Sequence, residues 1–152
     1  MPSKPNADLC QRIVGESQDA IVFADRTGVI RLWNSGAEAM FGYRADEAIG
    51  QSLDVIIPER QRQRHWDGWR KVMATGVTRY GREVLAVPAM RKDGVRISVE
   101  FTIVVPRDEY GDPMGAAATL RDVTTRWQSE KDRKQRVADL EAQLKRLGQD
   151  VA

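Results

Sequence analysis

Residues 90–103 read Met90-Arg91-Lys92-Asp93-Gly94-Val95-Arg96-Ile97-Ser98-Val99-Glu100-Phe101-Thr102-Ile103. An Asp-Gly pair followed by β-branched and aromatic residues in alternation is the local signature of a hairpin. Period two puts Val95, Ile97, Val99, Phe101 and Ile103 on one face of the strand and Arg96, Ser98, Glu100 and Thr102 on the other. A strand that is apolar on one face belongs to an antiparallel sheet with one side packed. The two arms of this hairpin are predicted over Arg82–Met90 and Val95–Val105.

Working outward, a second hairpin precedes it. Ala20–Asp25 and Val29–Asn34 are strand-like and flank Arg26-Thr27-Gly28, where glycine supplies the positive φ of the turn. Helical segments fill the interval between the hairpins. Ser35 is the expected cap of a helix over Gly36–Met40 that ends near Gly42, and Asp46–Ile49 is a further helical turn before Gly50. Leu53–Ile57 is apolar and broken by Pro58, and Glu59–Ala74 reads as the longest internal helix, closed by Gly76. After the loop Glu109–Asp112, Met114–Arg121 is a small-residue strand. At the start, residues 1–7 form a loose arm, and Asp8 is the expected cap of a short helix over Leu9–Glu16 with Leu9, Ile13 and Val14 on one side. Two strands, several short helices and three strands make an α+β fold with an antiparallel sheet and one helical insertion.

The tail from Thr125 to Gly148 has no internal glycine or proline and is densely charged, as in one long helix. Val137, Leu140, Leu144 and Leu147 follow the 3, 4, 3 spacing of a heptad seam. Such a stripe suits a helix laid on its own domain or one paired with a second copy. The narrow seam with charged flanks favours the second, so a homodimer is expected. The chain divides into an arm and short helix (1–18), a globular domain (19–124) and this amphipathic tail (125–152).

Composition limits the function. The 152 residues are 41% hydrophobic and 30% charged with a net charge of +2, which suits one globular domain and gives no basic face for nucleic acid. One cysteine, Cys10, and one histidine, His65, cannot build a zinc site or an internal disulfide. No apolar run approaches the roughly 18–20 residues of a membrane span, and the first residues lack the apolar core of a signal peptide. A soluble cytoplasmic protein of bacterial style is expected. The sequence carries no phosphate loop, nucleophile elbow, kinase signature or carboxylate pair with a partner histidine, so no enzyme is expected.

The order of elements and four local words resemble the PAS family over Asp19–Thr124. Residues 19–43, DAIVFADRTGVIRLWNSGAEAMFGY, resemble its first hairpin and helix, and residues 47–59, EAIGQSLDVIIPE, its following short helices. Residues 90–103 resemble its hairpin between the third and fourth strands, and Leu120-Arg121-Asp122-Val123-Thr124 its exit motif toward a signalling helix. The resemblance implies a five-stranded antiparallel sheet in the order 2-1-5-4-3, a ligand pocket between sheet and helices, and a C-terminal signalling helix with Asp122 and Thr124 at the relay. It also implies an ion pair between Glu38 and Arg91 or Lys92.

His65, Trp69, Val72 and Met73 share one helical face at i, i+4, i+7 and i+8, so His65 is predicted to face inward. One inward imidazole suffices as the proximal ligand of haem, although many PAS domains without haem carry a histidine here that is hydrogen-bonded or half exposed. The segment Pro58–His65 resembles the haem-binding helix of rhizobial oxygen-sensing PAS kinases, and His65 falls at the proximal position. The position of the distal arginine in that pattern holds Leu85, which implies an apolar distal side. The candidate ligand-binding residues are therefore His65, Trp69, Leu85, Phe101 and Ile103, with His65 on the iron of haem b and Met73 ahead of Met90 as sixth ligand. Flavin fits less well, because Cys10 lies outside the insertion where a flavin-reactive thiol belongs, although Trp33, Asn34, Trp66 and Trp69 offer contacts to a non-covalent ring.

Two functions fit this reading. One is a sensor that binds a small ligand or cofactor and relays its state through the tail helix to an output domain or partner protein. The other is a ligand-free dimerisation or interaction module.

Overall fold

The computed structural model describes residues 3–4, 6–78 and 85–150. Contacts divide the chain into two compact units, Met1–Asp122 and Val123–Ala152. The first holds helix α1 (Ala7–Glu16), strands β1 (Ala20–Asp25) and β2 (Ile30–Trp33), and helices α2 (Ser35–Phe41) and α3 (Ala45–Ala48). After them come a 3₁₀ turn at Leu53–Ile56, helix α4 (Glu59–Thr75), and strands β3 (Leu85–Met90), β4 (Arg96–Val104) and β5 (Gly115–Asp122). The second unit is helix α5 (Thr124–Asp150). The sheet is antiparallel throughout and runs β2-β1-β5-β4-β3, the expected order.

Alternation decides which side is packed. Ala20, Val22 and Ala24 of β1 point inward and face Leu120, Ala118 and Ala116 of β5. On β4, Ile97 and Val99 are buried while Phe101 and Ile103 are half-buried. Val95 is half exposed, contrary to the expectation for that face. It still belongs to the turn, where its amide donates to Asp93 Oδ1 at 3.0 Å, and the strand begins one residue later. Arg82, Glu83 and Val84 of the expected third strand lie outside the described residues. In the first hairpin, β1 and β2 shift register between Phe23 and Ala24, which leaves Arg31 as the extra residue of β2. Arg31 then reaches Asp25 Oδ2 at 2.8 Å. Hydrogen bonds from Thr27, and then from Arg31, hold the Asp25 carboxyl far below the ordinary carboxylate range.

Two caps differ from the sequence reading. Asn6, not Asp8, caps α1 by accepting from the Asp8 amide, and Asn34, not Ser35, caps α2. The second difference organises the fold. Asn34 is 5% exposed. Its Oδ1 accepts from the amides of Ile21 at 2.8 Å and Ala37 at 2.9 Å. Its Nδ2 donates to the carbonyls of Val14 at 2.8 Å, Asp19 at 3.0 Å and, at 3.4 Å, Ser17. One amide thus fastens the end of α1, the start of β1 and the start of α2. Gly36 lets α2 come this close, since a Cβ there would run into the Asp19 carbonyl.

The core lies between the sheet and the helical insertion. Phe41, Ile30 and Val99 are its largest fully buried side chains, and Trp33, Leu53, Ile56 and Ala89 surround them. No helix among the described residues is long and apolar enough to cross a membrane.

Candidate functional site

The chemistry-bearing face is on α4. Pro58 ends the preceding segment, and Gly76 closes the helix in the left-handed conformation at φ 71°. Arg62 ties the first turns to the segment before them. It donates to the carbonyls of Ile57 at 3.1 Å and Asp54 at 3.2 Å. The stripe predicted to face inward does so. His65, Trp66, Trp69 and Val72 are half-buried and Met73 is buried.

Two indoles dock the helix. Trp66 Nε1 donates to Asp54 Oδ1 at 2.7 Å, and its ring covers Gly28, where a Cβ would overlap the indole. Trp69 Nε1 donates to the Arg26 carbonyl at 3.0 Å. Both contacts land on the β1–β2 turn or the 3₁₀ segment, so α4 is held by polar tips on aromatic bodies.

His65 sits against both rings. It makes an edge contact with Trp66 at 4.6 Å between centroids and lies tilted over Trp69 at 5.9 Å. Its Nδ1 is buried with no hydrogen-bond partner among the described residues. Burial pushes its pKa below the ordinary value, with the Asp54 carboxylate opposing, so the ring is neutral near pH 7. A neutral imidazole with a free, buried nitrogen is the donor a metal centre requires.

The structure brings His65 and Trp69 together on α4. On the sheet, Leu85 of β3 stands in register opposite Phe101 of β4, and Ile103 pairs with Ala118. Trp66, Trp69 and Phe101 pack against the buried cluster of sheet and insertion residues. Two open concavities lie elsewhere. One, about 430 Å³, runs along α5 beside Trp127 and Lys131; the other, about 410 Å³, lies over Phe41, Gly42 and Arg91–Asp93.

Several expected pairings change. Met73 does not suit a sixth-ligand role beside His65. The two share one face of α4 eight residues apart, about 12 Å along the axis, so they cannot bracket one iron atom. Met90, half-buried at the end of β3, has no such conflict. Glu38 pairs with neither Arg91 nor Lys92. Its carboxylate accepts from the Ala45 amide at 2.9 Å and caps α3 instead. The turn docks on the end of α2, with the Lys92 amide donating to the Phe41 carbonyl at 2.8 Å. That placement sends Lys92 over the Tyr43 ring and onto Glu47 at 2.9 Å, while Arg91 meets Asp93 at 3.4 Å. Trp33 and Asn34 are poor flavin contacts. The Trp33 indole is buried and donates to the Tyr43 carbonyl at 3.0 Å, and the Asn34 amide is fully committed. Arg62, which reads from sequence as part of a solvated basic face, instead ties α4 to the preceding segment, and the docking of Trp66 on Asp54 and Gly28 leaves no local pattern.

Residues 14–128 match the family model described as PAS fold. The chain belongs to the PAS family. A PAS-domain crystal structure from Colwellia psychrerythraea superposes with a TM-score of 0.68 at 24% identity, covering 78% of this chain and 97% of that one. The PAS chain is 29% identical over 129 residues to the sensor protein FixL of Bradyrhizobium diazoefficiens, covering 83% of this chain and 24% of that protein. It is 30% identical over 115 residues to the cell-division control histidine kinase PdhS of Brucella ovis, covering 74% of this chain and 10% of that protein. The PAS chain therefore spans a quarter or less of the length of these relatives. At the other end of the domain, β5 stops at Asp122 and α5 starts at Thr124, so the expected relay residues flank a single residue, Val123. The Val123 carbonyl accepts from the Trp127 amide at 2.9 Å in the first turn of α5.

Proposed function

We propose that this PAS domain, spanning residues 19–124, senses a small ligand held against α4 and passes its state along β5 to the tail helix. The observation that carries the reading is the buried, unpartnered Nδ1 of a neutral His65. A buried polar atom without a partner is costly, and a ligand that pairs with it removes that cost. Haem b is the favoured ligand, with His65 as its iron ligand and Trp69, Leu85, Phe101 and Ile103 as surrounding wall. Bound haem supplies an iron centre able to take a diatomic gas. The protein's part is to present His65 unprotonated and to hold its ring against two indoles. Trp66 and Trp69 pack α4 onto the buried cluster, so loading shifts α4 from its docked position, and that shift is the signal. Asp122 and Thr124 then relay the change from β5 to α5.

The domain is not itself catalytic in this reading. It works in the cytoplasm with an output domain or partner protein, as the histidine kinase among its relatives suggests. A ligand-free dimerisation module is the second reading, favoured by one observation. Val137, Leu140, Leu144 and Leu147 of α5 are 48–69% exposed along the heptad stripe, so a homodimer would bury them. Reconstitution with haemin separates the two. The sensor gains a Soret band that His65→Ala loses, and the interaction module stays colourless.

A further inference from the structure

Hydrogen bonds connect α4 at two places to the loop that leads into β5. In the middle of the helix, the Arg26 carbonyl accepts from Trp69 Nε1 at 3.0 Å, while the Arg26 guanidinium donates to the Pro113 carbonyl at 3.0 Å. At the end of the helix, the Arg107 guanidinium donates to the Gly76 carbonyl at 3.0 Å and to the Gly111 carbonyl at 2.8 Å. Gly76 lies at this contact with φ 71°, a conformation that favours glycine, and a Cβ there would push the Arg107 guanidinium aside. The loop between these anchors is stapled. Asp108 Oδ1 accepts from the amides of Tyr110 and Asp112, both at 2.9 Å, and the Met114 amide donates to the Pro106 carbonyl at 2.8 Å. Pro113 lies two residues before β5, whose first residue, Gly115, stands opposite Asp25 against the Ala24 carbonyl.

We propose that Arg26 and Arg107 form a two-point latch that carries the position of α4 into the start of β5. Both are positioning residues, and neither touches His65. The proposal rests on the relay described above and names the route by which it leaves the helix. A planar guanidinium fits the task at Arg107 because its N–H groups point in fixed directions and span two carbonyls in one geometry, whereas an ammonium on a flexible stem holds no fixed fork. A loop held by its own internal hydrogen bonds moves as a piece, so a displacement of α4 is carried to Gly115. From there the strand runs without interruption to Asp122.

Hydrogen exchange of the full chain tests this, in wild type, Arg107→Ala and Arg26→Ala/Arg107→Ala, with and without haemin. Without haemin, Arg107→Ala is expected to speed exchange about tenfold at both Gly76 and Met114–Ala117, as local opening of a coupled unit. Faster exchange confined to Gly76 overturns the latch. Arg107→Lys, which keeps the charge without the fork, should behave like the alanine variant, and wild-type exchange in it overturns the two-point geometry. With haemin, the double variant should develop the wild-type Soret band yet lose the haemin-induced change in β5 protection. A β5 response that persists in the double variant overturns the proposal. If wild type itself takes up no haemin, the ligand reading fails, and the comparison without haemin decides the latch by itself.

Discussion

Replacing Asn34 by alanine removes a side chain that fastens α1, β1 and α2 together. Four of its hydrogen bonds are 3.0 Å or shorter, two accepted from the Ile21 and Ala37 amides and two donated to the Val14 and Asp19 carbonyls. At a net contribution of about 1 kcal/mol each, the loss sums to about 4 kcal/mol. Fraying of α1 lets water reach the Val14 carbonyl and lowers the expected cost to about 3 kcal/mol. Against a typical domain stability of about 5–15 kcal/mol, Asn34→Ala stays folded at low temperature but melts at much lower urea. Urea titration followed by tryptophan fluorescence and far-UV circular dichroism gives the number, and a loss below about 1 kcal/mol refutes the assignment of Asn34 as an organising residue. Asn34→Asp sharpens the test. The carboxylate still accepts from Ile21 and Ala37 but cannot donate to Val14 or Asp19. Exchange should therefore rise across α1 while the Ala37 amide stays protected, and equal loss at both places would contradict the division of labour drawn from the structure.

Other consequences can be measured separately. Burial lowers the His65 pKa below its ordinary 6.5, so the unfolded chain binds more protons as pH falls through that value, and wild type loses stability from pH 7 toward 5. His65→Leu should flatten that part of the stability–pH curve, and parallel curves would show that His65 is not buried as described. Gly28→Ala should cost about 2 kcal/mol or more, through the positive φ of 81° and overlap with Trp66, and Trp66→Ala should relieve part of it; strictly additive costs in the double-mutant cycle would deny the contact. A chain ending at Val123 should be monomeric by light scattering where the full chain is dimeric, and two monomers at tens of micromolar would remove α5 as a dimer helix.

The sequence makes the sheet legible where one local rule suffices. The Asp93-Gly94 turn and the alternation after it define the β3–β4 hairpin, and Gly42 and Gly76 mark the ends of α2 and α4 as left-handed caps. The strand order came from resemblance, since nothing local says that β1 and β5 are neighbours. Caps failed where two competent residues stand side by side. Ser35 and Asn34 can both accept from a helix amide, but only Asn34 also donates backward to Val14 and Asp19, and that tertiary demand decides. The inward face of His65 and Trp69 was legible from helical spacing. The docking of Trp66 on Gly28 and Asp54 was not, because it depends on where a distant turn is placed. Glu38 was misread for a related reason. The β3–β4 turn sits on the end of α2 such that Lys92 reaches α3, and Glu38 is left to cap the same helix.

The central claim is that His65 holds the ligand this PAS domain senses. Titration of the full chain with haemin, followed by desalting and absorbance spectroscopy, tests it most directly, with His65→Ala alongside. The account predicts a Soret band that saturates at one haemin per chain in wild type and is absent from the variant, whose far-UV spectrum still shows the folded domain. A wild-type protein that stays colourless after desalting, or a variant that keeps the wild-type band, would contradict it.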